Sequence, residues 1–314
     1  MTMRALVTGA DGFVGGVLCR HLARAGWEVR AGVMRDAQEP AREFQCDITC
    51  ADRVDALVAW AGPVDVVFHL AAVTFVPESI QDPRRAMRVN VEGTMNLLQA
   101  CRARRPESRF MYVSTSEVYG PPLELPIREE HPLNPKNPYA IAKAAADSYC
   151  AYVCESTGYD IVRLRPFNHS GPGQSDLFVL SSFARQLARA EAGAAEPVLR
   201  VGSLEARRDF LHVDDVVRAY ELAARKGGSG EVYNIASGRA VLIRDALDTL
   251  LRMARVKVAV EPAPDRLRPV EVLEVAGSSE RLTAATGWTP QHPLEDLLAD
   301  ILNFWRVQEG VSAP

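Results

Sequence analysis

The chain has 314 residues, 47% of them hydrophobic and 24% charged, with a net charge of −4. That balance suits a soluble globular protein with room for a large core. It gives no basic face for nucleic acid or an anionic membrane surface, and no run approaches the ~18 apolar residues of a spanning helix. The first ten residues read as the start of a buried strand rather than a secretion signal, and a cytoplasmic protein is expected. Six cysteines in a chain of this length make no disulfide framework. Cys46/Cys50 and Cys150/Cys154 are spaced one residue too widely for a zinc knuckle. They are expected to be small buried hydrophobes, and no metal site is expected.

Met3 to Thr8 is a short apolar run that ends in Gly9-Ala10-Asp11-Gly12-Phe13-Val14-Gly15, and a helical pattern follows through Leu18 and Leu22. In a strand–glycine turn–helix unit the glycines let backbone approach a pyrophosphate, which sits on the helix N-terminus. Gly9, Gly12, Phe13, Val14 and Gly15 are therefore cofactor candidates. The second strand, Glu28 to Met34, runs into Arg35-Asp36. An acid there grips the ribose hydroxyls of NAD, whereas arginine accommodates the 2′-phosphate of NADP. Arg35 favours NADP(H) over NAD(H), and Asp36 keeps NAD(H) open. Asp47, with Ile48, is placed to accept from an adenine amine or to cap the next helix.

Val64 to His69 is a buried strand leading into Leu70-Ala71-Ala72, and strand ends of such sheets face the ligand crevice. His69 itself reads as a satisfied core residue. Pro83 to Arg105 reads as one long helix, within which Asn90 either bridges backbone groups through water near the site or lies on the surface. The next strand, Arg109 to Ser114, is followed by Thr115-Ser116-Glu117, and another runs from Asp160 to Pro166. Ser114 and Pro166 close their strands at the cofactor edge and join the candidates.

Between those strands lies Asn137-Pro138-Tyr139-Ala140-Ile141-Ala142-Lys143. Asn137 is a good N-cap and Pro138 suits the first helical position. Tyr139 and Lys143, four apart, then share a helix face. An ammonium beside a phenol favours the phenolate and lowers its pKa, which suits proton transfer at a carbonyl or alcohol oxygen. The spacing alone also fits an ordinary amphipathic helix.

Strands and helices alternate over residues 3 to 166, which implies an α/β fold, a parallel sheet with helices on both faces. After Asn168 the rhythm changes to helices mixed with short strands, as in a smaller lobe over the sheet's carboxyl edge. The expected division is a dinucleotide-binding domain over 1–167 and a substrate lobe over 168–308, with the chain free to cross back.

With these elements in this order, the chain resembles the extended short-chain dehydrogenase/reductases that act on nucleotide sugars. The resemblance implies a Rossmann-type doubly wound parallel sheet with a smaller α/β substrate-binding lobe. It implies that Thr115 hydrogen-bonds the sugar's reacting oxygen, that Tyr139 transfers the proton, and that Lys143 holds the nicotinamide ribose. Arg208, in the segment Arg208 to Asp215, and Arg268 would grip the diphosphate, and Glu271 the nucleoside ribose. Planar guanidinium forks suit phosphate oxygens. The segment Arg165 to Ser175, with Phe178-Val179, is similar to GDP-4-dehydro-6-deoxy-D-mannose reductases, which form GDP-D-rhamnose; it adds Asn168 and Val179 to the substrate candidates. So is Thr286-Gly287-Trp288-Thr289-Pro290. The expected activity is reduction of the C4 ketone of a GDP-sugar. Thr115-Ser116-Glu117 has the pattern of the dehydratases, in which Glu117 would be the acid/base. A dehydratase or epimerase that recycles its cofactor therefore stays open. A dinucleotide-binding redox sensor would need none of Thr115, Tyr139 and Lys143. The family also implies a homodimer packed through helices 83–105 and 138–156, with Ala144, Ala145, Tyr149 and Val153 on the outer face.

Overall fold

The computed structural model describes residues 2–263 and 272–311. β1 (Arg4–Thr8) sends Ala5 and Val7 into one core layer and Leu6 into another, the period-2 alternation of a strand covered on both faces. α1 (Phe13–Arg24), β2 (Glu28–Val33), β3 (Glu43–Gln45), α2 (Ala51–Ala61) and β4 (Val66–His69) follow. Then come α3 (Val76–Gln81), α4 (Pro83–Met87), α5 (Gly93–Arg104), β5 (Arg109–Val113), α6 (Pro138–Thr157) and β6 (Ile161–Pro166). The second half holds β7 (Asn168–Ser170), α7 (Val179–Glu191), β8 (Val198–Val201), β9 (Arg207–His212), α8 (Val213–Lys226) and β10 (Val232–Ile235). β11 (Ala240–Leu242), α9 (Ile243–Met253), β12 (Ala259–Pro262), β13 (Glu274–Val275), α10 (Glu280–Thr286) and α11 (Leu294–Gln308) complete it.

The main sheet has the order β10-β6-β5-β4-β1-β2-β3, and all of its pairings are parallel. The chain winds outward from β1 through β2 and β3, then returns to β4 and winds the other way. The order reverses between β1 and β4, where Thr8 pairs with His69, and ligand crevices of open parallel sheets lie at such a reversal. β10 crosses back from the second half to pair with β6. One face is packed by α1 and α8 and the other by α2, α5 and α6. The lobe has its own core, where Leu180, Leu187, Leu247, Leu298 and Ile301 bring α7, α9 and α11 together. Among the described residues no helix is long and apolar enough to cross a membrane.

The helix expected over 83–105 is broken. α4 and α5 are separated by a π-helical turn at Arg88–Glu92, a form that often marks functional sites. Asn90 sits in it, buried rather than on the surface, and bonds the backbone directly. Its Oδ1 accepts from the Val73 N–H at 2.8 Å and its Nδ2 donates to the Val73 carbonyl at 3.0 Å. The wide turn directs one polar side chain inward to satisfy both backbone groups of a loop residue.

Four of the cysteines named above differ in environment: Cys46 and Cys150 are buried, Cys154 is partly covered, and Cys50 is exposed at the N-cap of α2. All are free thiols.

Candidate functional site

A cavity of about 520 Å³ runs along the carboxyl edge of the main sheet. The ends of β1, β2, β5 and β6 reach it through Thr8, Val33, Val113 and Pro166. At one end the glycine turn places Gly9, Gly12, Phe13, Val14 and Gly15 on its wall. Gly9 has φ +68°, a conformation open to glycine, and a Cβ there would meet the Ala71 backbone at 2.8 Å. A Cβ on Gly15 would lie 2.0 Å from the Gly9 carbonyl oxygen. Helix α1 thus starts hard against the strand it follows. Its N-cap makes no side-chain hydrogen bond and its first turn carries no acid. The N-terminal N–H groups that every helix leaves unpaired therefore meet no acid within the first turn of α1.

Asp47 and Ile48 also line the cavity. Asp47 does not cap α2, whose N-cap is Cys50. Its Oδ1 instead closes a local turn by accepting from the Thr49 N–H at 2.9 Å and hydroxyl at 2.8 Å. Arg35, the expected 2′-phosphate ligand, is not on the cavity wall. Glu43 holds its guanidinium through two bonds at 2.7 and 3.0 Å, and that arginine keeps the Glu43 carboxyl down at about 2. Asp11 ties the glycine turn to the same corner by accepting from the Met34 and Arg35 N–H groups at 2.8 and 3.1 Å.

Leu70, Ala71 and Ala72 line the middle of the cavity, together with Val73, the residue that Asn90 grips from behind; Asn90 itself does not reach the wall. His69 is core, as its position in the strand implies. Its two ring nitrogens bond Thr8 at 2.8 Å and Thr94 at 2.9 Å, and burial pushes its pKa down to about 3.

At the other end Ser114, Thr115, Glu117, Tyr139, Lys143, Pro166 and Asn168 meet on one wall. Asn137 is the N-cap of α6, its Oδ1 accepting from the Ala140 N–H at 2.8 Å. Tyr139 and Lys143 are accordingly in the first two turns, both nearly covered by protein yet both facing the cavity. The helix is anchored to β6 by a buried ion-pair group. Asp147 accepts from Arg165 at 2.9 and 3.0 Å and from Arg163 at 3.1 Å.

In this structure burial opposes the acidified phenol that the spacing leads one to expect. Burial, with the Glu117 carboxylate second, pushes the Tyr139 pKa well above the ordinary phenol value; a hydrogen bond from Thr115 offsets only part of this. The Lys143 nitrogen donates to the Val113 carbonyl and lies 4.5 Å from the centre of the Tyr112 ring. Burial lowers its own pKa to about 8. The pair shares a helix face, but the cation is turned to the sheet edge and the phenol keeps its proton.

On the substrate side, Val179 is the first residue of α7 and is off the wall, while its neighbour Phe178 is on it. Arg208 lies on β9 away from the cavity lining, where it pairs in register with Val275 of β13. The chain reaches β13 directly after 264–271. Arg268 and Glu271 fall in that stretch and lie outside the described residues. The segment around Arg208 is a structural hub. Asp209 accepts from the backbone of Ser237, Gly238 and Gly277, and Asp215 from that of Gln291 and His292. Arg185 and Gln186 are likewise committed, to Asp176 and Glu309 and to the Arg200 backbone.

Sequence reading missed Tyr220. It lies on α8, lines the cavity, and its buried hydroxyl has no hydrogen-bond partner. An orphaned buried hydroxyl costs free energy unless something polar meets it, and a bound ligand would do so. No local pattern marks it, because it is one apolar-face residue of an amphipathic helix 81 positions after Tyr139. With the glycine turn and the uncapped α1, Tyr220 supports the fit of a dinucleotide to this cavity.

The model of the NAD dependent epimerase/dehydratase family matches residues 5–236. A GDP-6-deoxy-D-mannose reductase of Pseudomonas aeruginosa is 41% identical over 316 aligned positions, which cover 98% of this chain and 100% of that one. Among solved structures, RMD from Pseudomonas aeruginosa complexed with NADPH superposes with a TM-score of 0.87 at 39% identity, covering 98% of this chain and 100% of the other. A UDP-glucose 4-epimerase from Thermus thermophilus in complex with NAD gives 0.86 at 28%, covering 97% and 99%. With the matched region spanning the whole main sheet and the cavity wall, this chain belongs to the NAD dependent epimerase/dehydratase family.

Proposed function

We propose that the protein is an NADPH-dependent oxidoreductase that reduces the C4 ketone of GDP-4-dehydro-6-deoxy-D-mannose to give GDP-D-rhamnose. The observation that carries this reading is the 41% identity to a GDP-6-deoxy-D-mannose reductase along the full length of both chains. NADP(H) is favoured over NAD(H) because the related Pseudomonas structure holds NADPH.

Residues 9–15 would hold the cofactor's pyrophosphate and Lys143 its nicotinamide ribose. When bound, the cofactor supplies a hydride. Tyr139 supplies the proton to the ketone oxygen. Reduction begins with that proton on the phenol, and the raised Tyr139 pKa keeps it there at neutral pH. Thr115, beside Tyr139, meets the charge that develops on the oxygen. Asn168 would face the sugar. Arg208, which is off the cavity wall, would take the diphosphate of a sugar nucleotide that extends past this cavity, with Arg268 on the same diphosphate and Glu271 on the nucleoside ribose.

One observation favours a second reading, a dehydratase or epimerase that recycles bound cofactor: Glu117 is on the cavity wall with Tyr139. Absorbance separates the two. The reductase consumes one NADPH per 4-keto sugar nucleotide. A recycling enzyme converts the parent sugar nucleotide with no net loss of NADPH absorbance.

The reading includes a homodimer formed through α4–α6, on a face that keeps Ala145, which is exposed, and Tyr149, which is half-buried. Ala144 and Val153 are buried within the chain. Met87, Met95, Ile141 and Tyr152 are exposed instead, an apolar patch suited to a self-complementary interface. Sedimentation is expected to give a dimer at micromolar concentration and a monomer for Tyr152→Glu. A wild-type monomer would contradict it.

A further inference from the structure

The reductase reading gives Glu117 no proton to move, yet Glu117 is bonded to Thr115 and to the cap of the helix that carries Tyr139. It sits in the 3-10 turn Ser116–Tyr119 after β5. Its backbone N–H donates to the Thr115 hydroxyl at 3.3 Å. Its carboxylate Oε2 accepts from Asn137 Nδ2 at 2.8 Å, while Asn137 Oδ1 accepts from the Ala140 N–H at 2.8 Å. An asparagine amide can turn end for end, but only its oxygen can cap a helix. A carboxylate only accepts, so it admits only the amide nitrogen on its side. Glu117 thereby fixes which end of Asn137 faces α6, two residues before Tyr139.

We propose that Glu117 is a positioning residue of the reductase, one that orients the Asn137 cap and so sets Tyr139 against Thr115. The inference rests on the reductase reading. The charge acts in the same direction. The groups that interact with the Tyr139 hydroxyl are Thr115 and Glu117 from the turn after β5, Tyr112 from β5 and Tyr220 from α8. Burial keeps Tyr112 and Tyr220 neutral. Lys143 is turned to the Val113 carbonyl. Glu117 is the negative neighbour, and it opposes loss of the Tyr139 proton.

The test compares Glu117→Gln, Asn137→Asp and the double variant in the full chain, with NADPH and the 4-keto GDP-sugar. In Glu117→Gln the amide can bond Asn137 in either orientation and carries no charge. Turnover is expected to fall about tenfold to hundredfold with KM little changed, and the alkaline limb of kcat/KM to move to lower pH. Asn137→Asp sets two carboxylates face to face and is expected to lose more. The double variant, in which the glutamine amide donates to the aspartate cap, is expected to recover much of that loss. A merely structural Glu117 would change Tm without moving the alkaline limb. Additive losses with an unmoved limb would overturn the proposal. So would a loss beyond about 10⁴-fold in Glu117→Gln with NADPH binding intact, since that exceeds what positioning explains and marks a proton-transfer group. Tyrosinate absorbance, titrated in wild type and Glu117→Gln with Tyr139→Phe as the blank, needs no substrate. The phenol is expected to ionise at lower pH in Glu117→Gln, and no difference would overturn the electrostatic part even if the substrate assignment were wrong.

Discussion

Tyr139→Phe is expected to lower turnover with the 4-keto sugar nucleotide by about 10²–10⁴-fold, the usual contribution of a positioned proton donor. The phenol faces the cavity beside Thr115, and the neighbouring groups cannot easily replace it. Lys143 is bonded to the Val113 carbonyl. His169, also on the wall, is held neutral by burial, with Nδ1 on the Phe167 carbonyl at 2.8 Å. Removing one hydroxyl leaves the ring and its packing in place, so the NADPH-induced rise in Tm is expected to persist. Steady-state kinetics and thermal shift together check this. Near-normal turnover would remove Tyr139 from the mechanism.

Gly15→Ala is expected to abolish dinucleotide binding. The added Cβ would sit 2.0 Å from the Gly9 carbonyl oxygen, a contact between backbone-fixed atoms that no side-chain rotation relieves. The turn must open, and the N-terminus of α1 moves with it. For the wild type, NADPH at about 100 times its Kd stabilises the fold by about 2.7 kcal/mol. Thermal shift should show that gain lost in the variant, alongside a lower Tm of the ligand-free protein, since overpacking relieved only by a backbone shift costs about 1–3 kcal/mol or more. An undiminished shift with NADPH would place the pyrophosphate elsewhere.

What the sequence revealed was mostly what is local. The glycine turn, the Asn137 cap, Tyr139 and Lys143 are each set within one turn of chain, and the glycines, Tyr139 and Lys143 all reach the cavity. The parallel sheet was legible because strand and helix periods alternate over residues 3 to 166. What was not legible depends on distant partners. Arg35 is held by Glu43, which reaches it only because β2 and β3 pair with Ala31 opposite Glu43. Asn90 reads as part of a continuous helix, because no residue pattern signals a π-helical turn. Tyr139 and Lys143 share a helix face, as their spacing requires. Where the ammonium points is decided by the Val113 carbonyl on a different strand, and burial then sets the phenol's proton affinity. The exposed stripe of α6 runs through Ile141, the expected Ala145 and Tyr149, and Tyr152, while packing within the chain buries Ala144 and Val153.

The destination of the hydride tests the reductase assignment most directly. NADPH deuterated at the transferable C4 position is supplied with the 4-keto-6-deoxy GDP-sugar, and the product is examined by mass spectrometry and NMR. One deuterium at C4 of the sugar for each NADPH oxidised is the predicted result. Unlabelled product, formed while the NADPH absorbance stays constant, would contradict it.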